Sequence, residues 1–471
     1  IVFGDSPDVL LAERRYGFIS GACSEAVIRT YELRHTVSDA IDKVLLNRLI
    51  GLPILFILAW LVFRFTFAFS RPAANGIQSA VEFLGTLISR LLPSHSLIQS
   101  LIVDGVIAGL GGVLVFVPTI FSLFLAIAFL EYSGYMARAA FIMDSFMHRI
   151  GLHGRSFIPM LLGFGCNVPA IMSTRTIEDR KDRLVTILVN PFISCGARLP
   201  VYVLFIGAFF PETMAGNVLF SLYILGILIA IILAKIFRKY ILPGESVPFV
   251  MELPPYRLPT LKGLLIHMWE RGVLYLKKAG TVIFISCLVL WFLSNFPRDN
   301  DYSKNYNILI EQAQGSKEII AALKTEITAD KLKNSYAGKL GNLITPFFQP
   351  LGFADWKVSM ALLGGFVAKE VIIGTLSTLY AVGEGEVKLQ SLRRMIQADR
   401  RGDGSKLFTP LSAYSFMIFV LLYLPCVAVL AVIRKETNSW KWPLFTVFYT
   451  TSVAWLVSFM FYQGGRLLGL G

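Results

Sequence analysis

The sequence predicts an all-α polytopic membrane protein, and three observations carry that prediction. The chain has 471 residues, of which 55% are hydrophobic and only 16% charged, with a positive mean hydropathy. A water-soluble domain cannot hide that much apolar surface, because single cores stop growing near ~250–300 residues. Hydrocarbon must therefore solvate much of the chain. Apolar runs of membrane-spanning length recur along it, about seven to nine of them. Several runs are interrupted by Pro and Gly near their middles, which predicts discontinuous or re-entrant helices.

Residues 1–43 are polar and helix-permissive, and read as the end of a cytosolic helical domain leading into the membrane. The chain begins with Ile and shows no charged n-region with a cleavage site, so it looks like a fragment without a visible signal peptide. The next block, 44–112, holds a first span near 49–69, with Arg64 placed to snorkel, and then a stretch at 74–92. Glu82 and Arg90 keep that stretch from reading as a span, so an interfacial amphipathic helix is expected there.

The block 113–237 comes next. Residues 105–130 are uncharged up to Glu131, but Gly109, Gly111, Gly112 and Pro118 place the start of the span near Val113. Residues 156–174 are broken by Pro159, Gly163, Gly165 and Pro169. Residues 184–210 carry Pro191, Gly196, Arg198 and Pro200 in their middle, and a cleaner span follows at 218–237. The segment 238–278 is basic and reads as a cytosolic loop.

The block 279–433 starts with a plain span at 281–296, followed by a polar insertion, 297–355, expected outside the cytoplasm. Residues 358–380 are apolar with Lys369 and Glu370 at their centre, and 411–433 are apolar again. The last block, 434–471, adds a span near 443–462.

Two stretches share a plan. One is a span, a Gly-broken segment (163–170) and a span carrying Cys195; the other is a span, a Gly-started segment (364–370) and a span carrying Cys426. If each middle segment is re-entrant, the units are inverted copies, an architecture that puts a binding site where the breaks meet. One feature resists this parity. The loop 381–410 would lie outside, yet it carries Lys388, Arg393, Arg394, Arg400, Arg401 and Lys406; a full crossing by 358–380 would make it cytosolic.

The formal charge of +13 does not point to nucleic acid. Lys235, Arg238 and Lys239, like Arg434, Lys435 and Lys441, follow apolar runs, which is positive-inside placement. No basic face is interleaved with aromatics. The five cysteines include no CxxC pair, so free thiols are expected rather than a disulfide framework. No P-loop, no helical His/Glu zinc motif and no Gly-x-Ser-x-Gly elbow is present.

Backbone that leaves a helix inside a membrane survives only where protein buries it or where it lines a polar path. The runs Gly163-Phe-Gly-Cys-Asn-Val-Pro169 and Asn190-Pro-Phe-Ile-Ser-Cys-Gly-Ala-Arg-Leu-Pro200 are such places. Each sets a thiol beside a break, with Asn167 near Cys166 and with Asn190 and Ser194 near Cys195. Thiol, amide and carbonyl donors suit a borderline divalent metal such as Fe²⁺ better than Mg²⁺ or Ca²⁺. The plainer alternative is that Cys166, Cys195 and Cys426 are small packing residues; Cys287, in an ordinary span, reads that way.

Lys369 and Glu370 are expensive at a bilayer centre, roughly 2.5–3.5 kcal/mol each on insertion scales. They read either as a structural ion pair, with Arg198 or Glu131 as partners, or as parts of the path: Glu370 along it, Lys369 as a gate or helix-break anchor. Glu131 and Asp144 are placed to gather cations at a mouth, although interfacial solvation explains them equally well.

These motifs resemble those of the FeoB ferrous iron transporters. The run Gly163–Met172 followed by Arg175, and then Pro191 to Pro200, is similar to that family's first "Gate" motif. Gly364-Gly-Phe-Val-Ala-Lys-Glu-Val371 and Tyr423-Leu-Pro-Cys-Val427 are similar to the second. Ser133-Gly-Tyr-Met-Ala-Arg-Ala-Ala-Phe141 and Gly151-Leu-His-Gly154 look like the connecting segments, so the likeness covers nearly everything from about residue 40.

The resemblance implies an inverted-repeat Gate bundle that carries Fe²⁺ across a bacterial inner membrane. Its gate cysteines correspond to Cys166, Cys195 and Cys426; Asn167 and Ser194 are candidate co-ligands, and Glu370, Lys369, Arg198, Glu131 and Met172 are candidate path or gate residues. It also implies a GTP- and Mg²⁺-binding domain preceding this sequence and small accessory proteins of the same system. A homo-oligomer is compatible with it. The rival readings are an organic-solute carrier of nucleoside type, a carrier of another divalent metal, a membrane enzyme with a Cys nucleophile, and a purely structural receptor. The enzyme would need a base nearby, and no histidine falls in an apolar span.

Overall fold

A computed structural model describes residues 32–92, 97–243, 254–276, 281–297, 330–380, 387–400 and 404–469. Helix α1 (Glu32–Leu45) leads into α2 (Arg48–Leu91), a single helix of 44 residues. At 1.5 Å per residue α2 is about 65 Å long, well beyond a bilayer core of about 30 Å. The separate amphipathic helix expected at 74–92 is therefore the continuation of the first span. Pro72 does not end the helix, and Gln78 donates to Glu82 one turn on (2.9 Å). Most of residues 1–31 lie outside the described residues.

Helix α3 (Ala108–Tyr132) packs along α2. It starts before Val113 and follows directly on a π-helical turn, Leu101–Ile107. Its glycines do not break it but admit its neighbour: a Cβ on Gly111 would stand 2.4 Å from Val81 Cγ1. At Gly134, in the left-handed region (φ 82°), the chain turns by 82° into α4 (Tyr135–Arg149).

A short hairpin follows, α5 (Phe157–Gly163) and α6 (Asn167–Ser173), then a broken span, α7 (Arg180–Val189) and α8 (Leu199–Phe209), then α9 (Glu212–Ile236). The segment read as a cytosolic loop contains α10 (Leu261–Tyr275), capped by Thr260 and packed on α3.

The second unit repeats this order. It comprises α11 (Thr281–Asn295), α12 (Tyr336–Phe348), a hairpin of α13 (Trp356–Val367) and α14 (Val371–Leu379), the short α15 (Val387–Ala398), a broken span of α16 (Pro410–Leu422) and α17 (Val427–Thr437), and finally α18 (Lys441–Leu467). The Gly/Pro-punctuated end of the expected insertion is thus not loop. It folds as α12 with Phe348, Leu351 and Phe353 buried, because those rings pack on Phe416 and Phe419 of α16. Residues 298–326 lie outside the described residues.

Ion pairs sort the two ends of the bundle. At one end Arg175 and Arg183 both hold Glu436 (2.5 and 2.7 Å), Arg155 holds Glu178 (2.7 Å), and Arg238 holds Asp182 (3.0 Å). Arg138, fully buried, binds Asp42 of α1 (3.0 Å) and lies over the ring of Tyr256, whose hydroxyl also donates to Asp42 (2.8 Å). At the other end Asp399 accepts from Lys357 (3.0 Å) and Tyr380 (2.5 Å), and Gln463 donates to the Pro350 carbonyl (2.8 Å).

Hairpin α5/α6 starts and finishes at the arginine-rich end, whereas α13/α14 starts and finishes at the other. The broken spans run in opposite directions, and the contacts between units are reciprocal: α6 touches α17, and α14 touches α8. This is the inverted repeat, and it resolves the awkward loop. Residues 358–380 fold back instead of crossing. Helix α15 lies at the far end of α8, where Arg393 donates to the Val203 carbonyl (3.1 Å) and Gln397 to that of Ala208. A cation beside the last turns of a helix is favoured by the helix dipole, so Arg393 is placed by α8.

Among the described residues five helices are long and apolar enough to span: Leu49–Leu91, Arg180–Phe209, Glu212–Ile241, Pro410–Thr437 and Lys441–Leu467. The bent pair at Gly134 makes a sixth, and Thr281–Asn295 and Trp356–Val367 are shorter apolar helices.

Candidate functional site

Each unit contains two interruptions, and their backbone groups need partners inside the bundle. In the first hairpin α5 closes against the broken span through Gly163, where a Cβ would stand 2.5 Å from Asn190 Oδ1. The Asn190 amide donates to the Pro159 carbonyl (3.1 Å), and Gly196 N–H donates to the Gly165 carbonyl (3.1 Å). The residues next to Cys166 and Cys195 are thus joined directly, so the two thiols flank one backbone hydrogen bond.

The long break of α7/α8 forms two 3₁₀ turns, Asn190–Phe192 and Gly196–Arg198. Its freed carbonyls go to Arg198, whose guanidinium donates to Pro191 O (3.1 Å) and Ile193 O (3.3 Å) and is 1% exposed. In the second unit α13 and α14 lie against each other, Gly364 and Gly365 facing Val371, Ile372 and Thr375. Lys369, at the tip, reaches the break of α16/α17. Its ammonium donates to the Leu424 carbonyl (2.8 Å) and stands 3.2 Å from the ring centroid of Tyr423.

A common rule emerges at the four breaks. Cys166 is the N-cap of α6, Cys195 that of the turn leading into α8, Glu370 that of α14 and Cys426 that of α17. None of them makes a full side-chain cap hydrogen bond, although the Cys166 sulfur faces the N–H of Val168, the Cys426 sulfur that of Val429 and the Glu370 carboxylate its own N–H. Cys166 lies within electrostatic reach of Cys195, Cys426 and Glu370, and Cys426 within reach of Cys195, Lys369 and Glu370. The four thiols at 166, 195, 287 and 426 are free and partly exposed.

The residues singled out from the sequence fare unequally. Among the described residues no three His, Cys, Asp or Glu side chains converge closely enough to hold a metal ion, so Cys166, Cys195 and Cys426 do not form a closed ligand set. Asn167 is buried beside Cys166 with its Oδ1 lacking a hydrogen-bond partner, as does Asn190 Oδ1. An orphaned buried acceptor is uncommon and calls for a ligand or water. Ser194 is also buried, but its hydroxyl is engaged with Tyr202 (3.4 Å).

Met172 packs in the apolar cluster around α6 and α17. Glu131 does not face the breaks. It pairs with Arg271 of α10 (3.2 Å), and Asp144 accepts from Gly154 N–H (2.9 Å), so neither is a free cation collector. The ion pair considered for Lys369 and Glu370, with Arg198 or Glu131, is not formed: Arg198 and Lys369 both serve carbonyls. The sequence reading gave no role to Tyr423. A buried lysine needs a partner, and the aromatic beside Pro425 was the available signal.

Comparison with known proteins bears on this geometry. A family described as nucleoside recognition matches residues 113–209 and 276–440, and ferrous iron transport protein B C terminus matches 219–271. The chain is 44% identical to the Fe(2+) transport protein A/Fe(2+) transporter FeoB fusion protein of Porphyromonas gingivalis, over 97% of the chain and 55% of that protein. It is 40% identical to the Fe(2+) transporter FeoB of Campylobacter jejuni, over 93% of the chain and 67% of the relative. The chain belongs to the FeoB family. It corresponds to the membrane part, and it is also 41% identical to the FeoB of Methanocaldococcus jannaschii, covering 63% of that relative. It thus spans between about half and two thirds of the length of the FeoB relatives it matches. No solved structure matches it.

Proposed function

We propose that this chain forms the membrane pathway of a ferrous iron transporter and moves Fe²⁺ into the cytoplasm across a bacterial inner membrane. The observation that carries the reading is that three thiols and one carboxylate stand at the N-caps of the four breaks, with Cys166 and Cys426 each within electrostatic reach of Cys195, of Glu370 and of one another. Thiolates suit Fe²⁺ over harder dications, while an unclosed donor set suits an ion that must leave again. Cys166 and Cys195 are the first donors, Cys426 and Glu370 join from the second unit, and the unpartnered Asn167 oxygen is a neutral supplement. The arginine-rich end faces the cytoplasm, as the positive-inside bias requires.

The relatives' names support the cargo, and the fusion with Fe(2+) transport protein A supports a small accessory protein as partner. A GTP-binding domain of the full-length protein would regulate the path by binding nucleotide unequally in its two states; the buried Arg138–Asp42 pair is a rigid place for such a domain to push. Full-length protein in proteoliposomes tests the cargo site. Cys166→Ser/Cys195→Ser should lower Fe²⁺ flux at least tenfold, and wild-type flux in that variant would sink the thiolate role. The family description "nucleoside recognition" favours one rival, an organic solute. Saturable uptake of radiolabelled nucleoside with no Fe²⁺ flux would establish it instead.

A further inference from the structure

Both broken spans hold a buried cation at their break, but the two cations are mounted differently. Arg198 belongs to the span whose carbonyls it caps, and it reaches Pro191 and Ile193 only seven and five residues away. Lys369 belongs to the hairpin and reaches a carbonyl 55 residues distant, on a separate element. Arginine is permanently charged and grips two acceptors with a planar fork, whereas lysine is a compact point charge on a flexible stem. The first arrangement is a fixture; the second is a contact that can open without unfolding either element.

The surroundings of the Lys369 ammonium are those of a cation site. It is 3% exposed, and its near partners are the Leu424 carbonyl and the face of Tyr423. No carboxylate forms an ion pair with it among the described residues. Burying an ammonium against neutral groups is costly, so the fold retains it against a stability gradient. Cys426 stands at the N-cap of the helix that starts three residues after Leu424, and the ammonium lies within electrostatic reach of the Arg198 guanidinium as well as of Cys426, Cys195 and Glu370. The Leu424 carbonyl and the thiols within reach of Lys369 are groups a borderline dication would use.

Building on the iron-path reading above, we infer that Lys369 is a tethered counter-cation: its ammonium occupies the position a divalent cargo takes, and cargo entry displaces it from Leu424 and Tyr423. Two positive charges cannot share that cage, since their repulsion would be several kcal/mol even at a moderate dielectric. Displacement frees the α13/α14 tip from the α16/α17 break, which couples ion arrival to movement of the hairpin. Lys369 thereby sets both affinity and release.

The test is Co²⁺ binding to detergent-purified full-length protein by calorimetry, for wild type, Lys369→Gln and Lys369→Arg. Gln keeps a donor for the Leu424 carbonyl and removes the charge; it should bind Co²⁺ at least tenfold more tightly. Arg keeps the charge with a fork that holds on, and should bind more weakly than wild type. Equal or weaker binding by a folded Lys369→Gln overturns the inference.

A second measurement needs no variant. Amine labelling of wild type followed by mass spectrometry should show Lys369 protected without metal and reactive with saturating Co²⁺; unchanged labelling overturns the inference. Wild type that binds no Co²⁺ would count against the iron-path reading itself, whereas a wild type that binds and a Gln variant of equal affinity count only against Lys369.

Discussion

The two units place the same kinds of element in reverse, yet they distribute charge differently. The tip of the first hairpin is neutral, Cys166 and Asn167, and its broken span supplies its own cation in Arg198. The tip of the second hairpin is charged, Lys369 and Glu370, and its broken span is neutral around Tyr423, Pro425 and Cys426. The repeat thus preserves where a donor side chain stands, at the N-cap after each break, while exchanging its chemistry. A consequence follows for motion. The first unit is internally sealed, but the second is sealed only by a contact between two elements, so the second is the one able to open.

The largest expected effect comes from unsealing the first unit. Arg198→Ala leaves two buried carbonyls without donors and should cost about 2–5 kcal/mol. Thermal unfolding in detergent should show a drop of many degrees, and Arg198→Lys should not restore it, since one ammonium cannot fork to both carbonyls. Wild-type stability in either variant would erase the distinction between the units.

Next come the glycines through which each hairpin leans on its own broken span. A Cβ at Gly365 would meet the Tyr423 hydroxyl at 2.3 Å and Ile372 at 2.5 Å; one at Gly163 would meet the Asn190 amide oxygen at 2.5 Å and Ile193 only at 3.1 Å. Overpacking of this kind costs about 1–3 kcal/mol. Gly365→Ala should destabilise more than Gly163→Ala and should disturb Co²⁺ binding as well, because it moves the ring beneath Lys369. The reverse order would show that the first contact, not the second, is the tight one.

The clasp at the arginine-rich end ties the turn after α6 and helix α7 of the first unit to α17 of the second. Glu436 is 3% exposed, but its partners Arg175 and Arg183 are 45% and 28% exposed. Their exposure lets water replace part of the lost attraction, so Glu436→Gln should cost about 1–2 kcal/mol, read from the same melting curves. Its effect on flux sharpens the comparison: faster Fe²⁺ release would mean that the clasp restrains the two units at that end.

The smallest effect is expected at Glu178, held by Arg155 at 2.7 Å but 86% exposed. Arg155 holds the Glu178 carboxyl below the usual carboxylate range. Its stabilisation is therefore present above the ordinary glutamate pKa and fades as pH falls through the lowered value. Glu178→Gln should leave the melting temperature at neutral pH unchanged, because exposed pairs contribute little. A clear shift would place this pair in the same class as the Glu436 clasp.

Much of this was legible in the sequence because breaks inside apolar runs leave a strong mark. Pro169, Pro191, Pro200 and Pro425 cannot continue a hydrogen-bonded ladder, so the positions of Cys166, Cys195 and Cys426 beside them could be read directly. The limits of α2 could not. Glu82 and Arg90 resemble the edge of a span, but a helix need not stop where the bilayer does, and Pro72 left it intact.

Helix α10 was hidden because its basic surroundings mask the face it turns to α3. The roles of Glu131 and Glu436 were hidden for a different reason. Their partners Arg271, Arg175 and Arg183 lie 140, 261 and 253 residues away, and pairing over such distances has no local signature. The same holds for Lys369 over Tyr423. Charge in an apolar run announces that a partner exists without saying which.

The central claim is that thiols from the broken segments of both units take hold of a passing dication. X-ray absorption at the iron edge of Fe²⁺-loaded full-length protein tests it most directly. The expected spectrum contains a sulfur shell at about 2.3 Å, the metal–thiolate distance of tetrahedral first-row sites, and that shell shrinks in Cys166→Ser and in Cys426→Ser alike. A spectrum fitted by oxygen and nitrogen alone, unchanged by either substitution, would contradict it.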